Sequence, residues 1–317
     1  MQEKSPLTSL APDLLLIAVA VTWGASYLSA KNLVAATDVT TALTLRYAVA
    51  FAGMLFFLLC RRGWRMTRRT TAVGVVLGLS QAAVLWLETA GVGMTSASNA
   101  GLLISLSLIF TPLLEVLVLR RVLPVAFYAM ALVAMLGALL LASGQGLRLP
   151  GTGDLLVLAA AVIRAVHVIA TAKFLKPTDD LPLIVGLQLF AGLLIFLFLG
   201  APNLGQGLGS MGPAAWVDAV FLGLACSVFA FLVQAWAVRR SSAARASLLM
   251  GTEPVWAVAI GVTLGGDHIA PVQAAGMVLI VLATLVGARI ERRARERRNS
   301  AFEADQGRRD EQLMMES

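Results

Sequence analysis

From Pro12 to Ile290 the chain is an almost unbroken series of apolar runs, each about as long as a bilayer is thick. A spanning helix needs about 20 mainly apolar residues. Ten such runs fit, at roughly 13–34, 38–60, 71–93, 97–119, 124–143, 153–175, 181–200, 214–238, 245–266 and 269–290. Each must be helical, because the hydrocarbon core has no water to satisfy backbone N–H and C=O groups. Composition agrees: 14% of residues are charged, against about 25% in soluble domains. The run after MQEKSPLTSLAPD ends without a small-residue cleavage site, so it reads as the first span and not as a removable signal. The expected fold class is an all-α integral membrane protein with ten transmembrane helices.

Loop charge predicts the orientation. One set of loops carries Arg61, Arg62, Arg65, Arg68, Arg69, Arg120, Arg121, Lys173, Lys176, Arg239, Arg240 and Arg245, and the opposite set carries only Lys31 and Arg148. Basic loops stay on the cytoplasmic side, which puts both termini there. The formal charge of +7 sits mainly in these loops and the tail, so it does not point to nucleic acid. The domain division expected is 1–12 as a cytoplasmic N-terminus, 13–143 and 153–290 as two five-helix units, and 291–317 as a basic, partly disordered cytoplasmic tail. The tail's arginines suit a stop signal for the last span and, secondarily, contact with anionic lipid. Cys60 and Cys226 lie in separate apolar segments and read as packing residues.

The two units are related. WGASYLSAK at 23–31 has a partner in RAVHVIATAK at 164–173, so Trp23 corresponds to Arg164. Pro112 corresponds to Pro254, and LETAGVGMTSASNA at 87–100 to VQAWAVRRSSAARA at 233–246. Five spans is an odd number, so the second copy crosses in the opposite sense. Inverted repeats mark alternating-access carriers, which hold substrate near the midplane between the halves.

The Trp23-Gly24 pair with Lys31 and Arg46, then TSASNAGLLISLSLIFTPLLEVLVLRR, then FLVQAWAVRRSSAARASLLMGTEPVWA, resemble the EamA family of the drug/metabolite transporter superfamily. The resemblance covers nearly all of 13–290. It implies a ten-helix bacterial inner-membrane carrier, often an exporter of amino acids or other small metabolites, aromatic amino acids among them. It also implies a central cavity lined by helices 1, 3, 4, 6, 8 and 9. Two positions depart from the family pattern. Arg164 stands where an aromatic is usual, and Gly266-Asp267-His268 replaces a glycine-glutamate pair.

Ionisable groups inside spans are costly and face a cavity or a partner. Here they are Arg46, Glu88, Glu115, Arg164, His167 and Glu253. Glu253 precedes Pro254, which removes a helical N–H and tends to kink the chain. A carboxylate there is suited to a substrate ammonium or a proton, and equally to bonding a neighbouring helix. Arg164 and His167 are i, i+3 and share a face. Arg164 suits a substrate carboxylate, or a pair with Glu88 or Glu253 that locks the halves together. His167 can titrate near neutral pH or simply pack. Arg46 reads as structural or gating, and Glu115 as solvated or paired with Arg120 and Arg121. The candidate substrate-binding set is Trp23, Tyr27, Gln81, Trp86, Glu88, Asn99, Arg164, His167, Gln234, Trp236, Glu253 and Trp256, with Ser105 and Ser107 nearby. An aromatic cavity with a few polar groups is the general form of a small-molecule site.

No phosphate-binding glycine loop, HExxH or metal-ligand spacing appears in the sequence, so no metal or cofactor is expected. The expected partners are a small-molecule substrate, membrane lipid and, if transport is coupled, protons. The first reading is a secondary transporter exporting small metabolites, amino acids first. The alternatives are a proton-coupled carrier of drugs or other metabolites and, from a different class, a membrane-embedded enzyme acting on lipid-linked substrates. That enzyme would need acids or histidines clustered at one membrane face, whereas the charges here are scattered singly across spans.

Overall fold

The computed structural model describes residues 6–61, 63–95, 100, 103–120, 123–143, 151–265 and 270–315, and its regular elements are all helical. In chain order they are α1 (Pro6–Ala36), α2 (Val39–Cys60), α3 (Arg68–Val92), α4 (Ser107–Leu119), α5 (Val125–Ser143), α6 (Thr152–Phe174), α7 (Leu181–Ser210), α8 (Pro213–Arg240), α9 (Ala243–Met250), α10 (Glu253–Gly265) and α11 (Pro271–Met315). Among the described residues, seven helices are long and apolar enough to cross a membrane: α1, α2, α3, α6, α7, α8 and α11. Large apolar side chains stand out from the bundle, with Phe198 82%, Leu117 74% and Phe56 71% exposed. Water would penalise such a surface, but lipid does not.

Three elements differ from the sequence-based expectation. The stretch 201–210, with Pro202 and several glycines, is not a loop but the last part of α7. Its glycines let α7 approach α2: a side chain at Gly200 or Gly207 would collide with Thr44 or Thr41. Ser210 Oγ also donates to Ala36 O at 2.7 Å. The segment after Arg289 is helical through Met315 as a continuation of α11, and Arg292 and Glu296 face each other one turn apart. The span expected at 245–266 is two helices, α9 and α10, separated at Gly251-Thr252. Pro254 has no N–H to give the Met250 carbonyl, so the ladder stops there.

Glycines set the closest crossings. Gly74 and Gly78 lie against α7, where an added Cβ would come within 2.5 Å of Leu187 Cβ and 2.7 Å of the Gln188 carbonyl. Gly137 lies as close to Gly276 on α11. Small residues at such crossings are how membrane helices gain packing that lipid cannot provide.

The end of the bundle with the basic loops is tied by charge. Arg61 pairs with Asp180 at 2.8 Å and Arg69 with Asp179 at 2.5 Å. Arg245, counted above among loop arginines, is buried in α9, where it meets Asp13 of α1 at 2.5 Å and Glu291 of α11 at 3.7 Å. Glu115 is also not solvated. It is fully buried and accepts from Ala244 N–H at 2.6 Å, satisfying one of the free amides at the start of α9.

Asp38 caps α2 by accepting from the backbone N–H groups of Thr40 and Thr41, at 2.9 and 3.1 Å, and from both hydroxyls. Burial acts to raise its carboxyl, but the threonine bonds outweigh it and hold Asp38 below the ordinary carboxylate range. A group lower in the folded than in the unfolded state stabilises above its unfolded value, here about 3.9, and loses that effect as pH falls further. Asp38→Ala should therefore cost about 1 kcal/mol at pH 7. In detergent melting curves, the gap from wild type should narrow as pH falls below about 4. Asp38→Asn should keep most of the neutral-pH stability and flatten that pH dependence.

Candidate functional site

The centre of the bundle is built on the helix break at Gly251-Thr252. Because α10 starts there, Glu253 sits in its first turn with its carboxylate turned to α1 and α6. Tyr27 of α1 donates to Glu253 Oε1 at 2.8 Å, and Arg164 of α6 donates to Oε2 at 2.9 Å. Glu253 is 3% exposed and Arg164 8%, so the ion pair is out of water. The Arg164 guanidinium lies 4.4 Å from the centre of the Trp23 ring, a cation–π contact that gains strength where water is excluded. Arg164 thus joins both repeats through Trp23, Tyr27 and Glu253. Gly24 makes the geometry possible: an added Cβ would stand 2.8 Å from Glu253 O, Ala257 N and Trp256 Cβ.

A widened, π-helical turn at Leu224–Phe229 within α8 supports Trp23 from behind. Its Cys226 carbonyl accepts from Trp23 Nε1 at 2.9 Å and from Arg46 Nη2 at 3.4 Å. Ser227 Oγ accepts from Arg46 Nε at 2.9 Å.

Two narrow cavities flank the ion pair. The first is lined by Trp23, Ser26, Arg46, Gln81, Glu88, Phe231 and Gln234, with Val84 and Leu85 as its apolar wall. The second is lined by Ile104, Ser105, Ser107, Val168, Ser247, Met250 and Gly251. Arg164 and Glu253 line both. Each has room for only about one water, so a larger solute needs the surrounding helices to part. At the second cavity the broken span of one repeat meets α4 of the other. Ser247 Oγ donates to Thr111 Oγ1 at 3.0 Å, and Gly251 packs directly on Leu108.

Of the residues singled out from sequence, Trp23, Tyr27, Gln81, Glu88, Arg164, Gln234 and Glu253 gather here. Gln234 Nε2 is within 3.7 Å of Met250 Sδ. Trp86 does not join them. It is 41% exposed on the outward face of α3, two positions from Glu88 and therefore on another side of the helix. Trp236 lies under Arg240, 4.8 Å from its guanidinium, near the basic end. His167 is buried with Nδ1 2.7 Å from Ser80 Oγ and lines neither cavity. Trp256 donates to Thr252 Oγ1 at 3.3 Å, bracing the helix break. Asn99 lies outside the described residues. Ser26, Phe231 and Ser247 line a cavity without having been singled out. Ser26 was detectable, because Trp23, Ser26 and Tyr27 stand at i, i+3 and i+4 on one helix face. Among the described residues, no three His, Cys, Asp or Glu side chains are grouped to hold a metal ion.

A helical membrane bundle whose buried charges converge on small central cavities has the form of a membrane transporter. The comparisons with known proteins give the family. The model of the EamA-like transporter family matches residues 10–143 and again 151–288. The chain belongs to this family, as a multi-pass membrane protein with two copies of its repeat. It is 30% identical over 205 residues to a probable terminal-alkyne amino-acid exporter of Streptantibioticus cattleyicolor, covering 65% of this chain and 67% of that protein. It is 25% identical over 279 residues to an uncharacterized transporter of Archaeoglobus fulgidus, covering 86% and 84%. A crystal structure of a protein 20% identical shares the fold with a TM-score of 0.73, over 90% of this chain and 98% of that one.

Removing one member of a buried ion pair leaves an uncompensated charge and costs about 3–5 kcal/mol. Arg164→Ala should therefore lower the melting temperature of the purified protein sharply. Glu253→Gln should cost less, since its amide oxygen can still accept one of the two bonds. The apolar double replacement Arg164→Met with Glu253→Leu should recover much of the loss; a doubly additive loss in the cycle would show that the two side chains do not act as a pair. Gly24→Val should also destabilise, by pushing α1 off α10.

Proposed function

We propose that this EamA-family transporter is a secondary, alternating-access carrier that exports small metabolites, amino acids first. In this reading the chain has ten spans. The seven long helices are joined by α4, α5 and the broken α9–α10 unit, in two oppositely oriented five-helix halves with both termini cytoplasmic. The halves correspond to residues 13–143 and 153–290, and the protein resides in the bacterial inner membrane. The observation that carries the reading is the shared position of Arg164 and Glu253 between two separate cavities. A pair that borders both can meet a solute held in either cavity. The exporter among the relatives supports the amino-acid class and the direction. Trp23, Tyr27, Gln81, Glu88, Arg164, Gln234 and Glu253 form the working part of the site.

A second reading is supported by Glu88, a carboxylate at the cavity within electrostatic reach of Arg164, Glu253 and Arg46. It is placed to carry a proton, which would make the cycle an exchange with protons.

Purified protein in liposomes loaded with each of the twenty labelled amino acids tests both readings. Efflux of at least one, above that of protein-free liposomes, is the expected result. Absence of flux across the whole panel would sink the amino-acid reading. An imposed pH gradient should change the initial rate if protons are exchanged and leave it unaltered in a carrier driven by the substrate gradient alone.

A further inference from the structure

The ion pair and the first cavity divide the charged groups into those already engaged and those with bonding capacity to spare. Glu253 is engaged on both oxygens, by Tyr27 and Arg164. A ligand cation could reach it only by breaking one of these buried bonds. Glu88 lines the same cavity, is only partly buried, and receives no hydrogen bond among the described residues. Arg164 uses Nη2 for Glu253 and its face for Trp23, which leaves Nε and Nη1 to donate. Arg46 uses Nε and Nη2 on Ser227 and Cys226, which leaves Nη1. The cavity therefore offers spare donors from two guanidiniums and one spare carboxylate.

Formal charge narrows the ligand further. Arg46 and Arg164 balance Glu88 and Glu253 around the cavity. In a poorly solvated site, a lone added anion or cation leaves a net buried charge, which is heavily penalised. A ligand carrying both charges adds none, provided each finds its opposite. Val84 and Leu85 complete the wall and suit an uncharged side chain.

We propose that Glu88, and not Glu253, receives the ammonium of a zwitterionic amino acid, while the spare guanidinium donors of Arg164, with Arg46, receive its carboxylate. Glu253 is a positioning residue that holds Arg164. Glu88 then decides that the carrier takes amino acids over the matching hydroxy acids, which lack the ammonium. This assignment rests on the amino-acid reading above.

The test uses the proteinogenic amino acid with the fastest efflux in the twenty-member panel, together with its decarboxylated amine and its α-hydroxy acid as competitors in the same liposomes. Hydrogen bonds to charged groups contribute about 1.5–3 kcal/mol, so wild type should bind each analogue at least about tenfold more weakly than the amino acid. Glu88→Gln should weaken the amino acid by about tenfold or more, leave the hydroxy acid unaltered or tighter, and so erase the discrimination. Its melting temperature should fall by less than that of Arg164→Ala, since Glu88 loses only its charge balance with Arg46 and Arg164 and no hydrogen bond. Glu88→Asp, which keeps the charge, should retain the selectivity and guards against a variant that fails to fold. If the amino acid is carried and Glu88→Gln still prefers it to the hydroxy acid as wild type does, the Glu88 assignment is overturned and the transport reading stands. If nothing in the panel is carried, both fall.

Discussion

The arrangement depends on keeping a guanidinium and a carboxylate ionised in the middle of a membrane protein. Neither Arg164 nor Glu253 has access to bulk water, so each must be satisfied by the other and by fixed neighbours. Tyr27 takes the second oxygen of Glu253, and the Trp23 ring covers the guanidinium. Those two residues are a helical turn apart on α1, with Gly24 between them allowing α1 to touch α10. Loss of that contact would pull the hydroxyl from the carboxylate and the indole from the cation together. The site is thus one interlocked unit drawn from α1, α6 and α10, and its members cannot be varied independently.

The broken span explains why the carboxylate can be there at all. In a continuous helix Glu253 would stand mid-turn with its backbone fully bonded. The break at Gly251-Thr252 frees backbone groups at a place where Thr252 and Trp256 can brace them, and it turns the carboxylate toward the other repeat. Thr111 holds the equivalent place before Pro112, and there the side chain is a hydroxyl bonded to Ser247. The residues before the two prolines therefore differ in chemistry, a carboxylate before Pro254 and a hydroxyl before Pro112. Trp23 and Arg164, aligned with each other in the sequence, meet as ring and cation.

The lengths and apolarity of the long helices, the repeat and the ionisable residues were legible in the sequence, because membrane burial leaves few explanations for a charge in an apolar run. The partners were less so. Arg164 was left open between Glu88, Glu253 and a ligand, since helix faces can be read from spacing but helix neighbours cannot. Trp86 sits two residues from Glu88, and sequence proximity concealed that a helix turns about 200° over that distance. Glu115 and Arg245 looked like edge charges because each lies close to a basic loop. Their burial follows from tertiary contacts with α9 and α1 that no local pattern encodes. The helical stretch at 201–210 was hidden by Pro202 and its glycines, whose close packing on α2 overrides their weak propensity.

The π-helical turn of α8 connects this static picture to recognition. An extra residue in a turn widens the helix and re-aims its carbonyls, and such turns recur at functional sites. Here the Cys226 carbonyl accepts from both Trp23 and Arg46, while Ser227 holds Arg46 by a second bond. One local irregularity therefore fixes the aromatic platform beneath Arg164 and the orientation of the other guanidinium at the first cavity. It also decides which donors stay unspent, because two of the three nitrogens of Arg46 are committed to it. Rewinding the turn to a regular α-helix would redirect the Cys226 carbonyl along the axis, freeing Trp23 and Arg46 together. A helix shift of that kind would change the cavity's shape and its available donors in a single step, and would loosen the indole that covers Arg164.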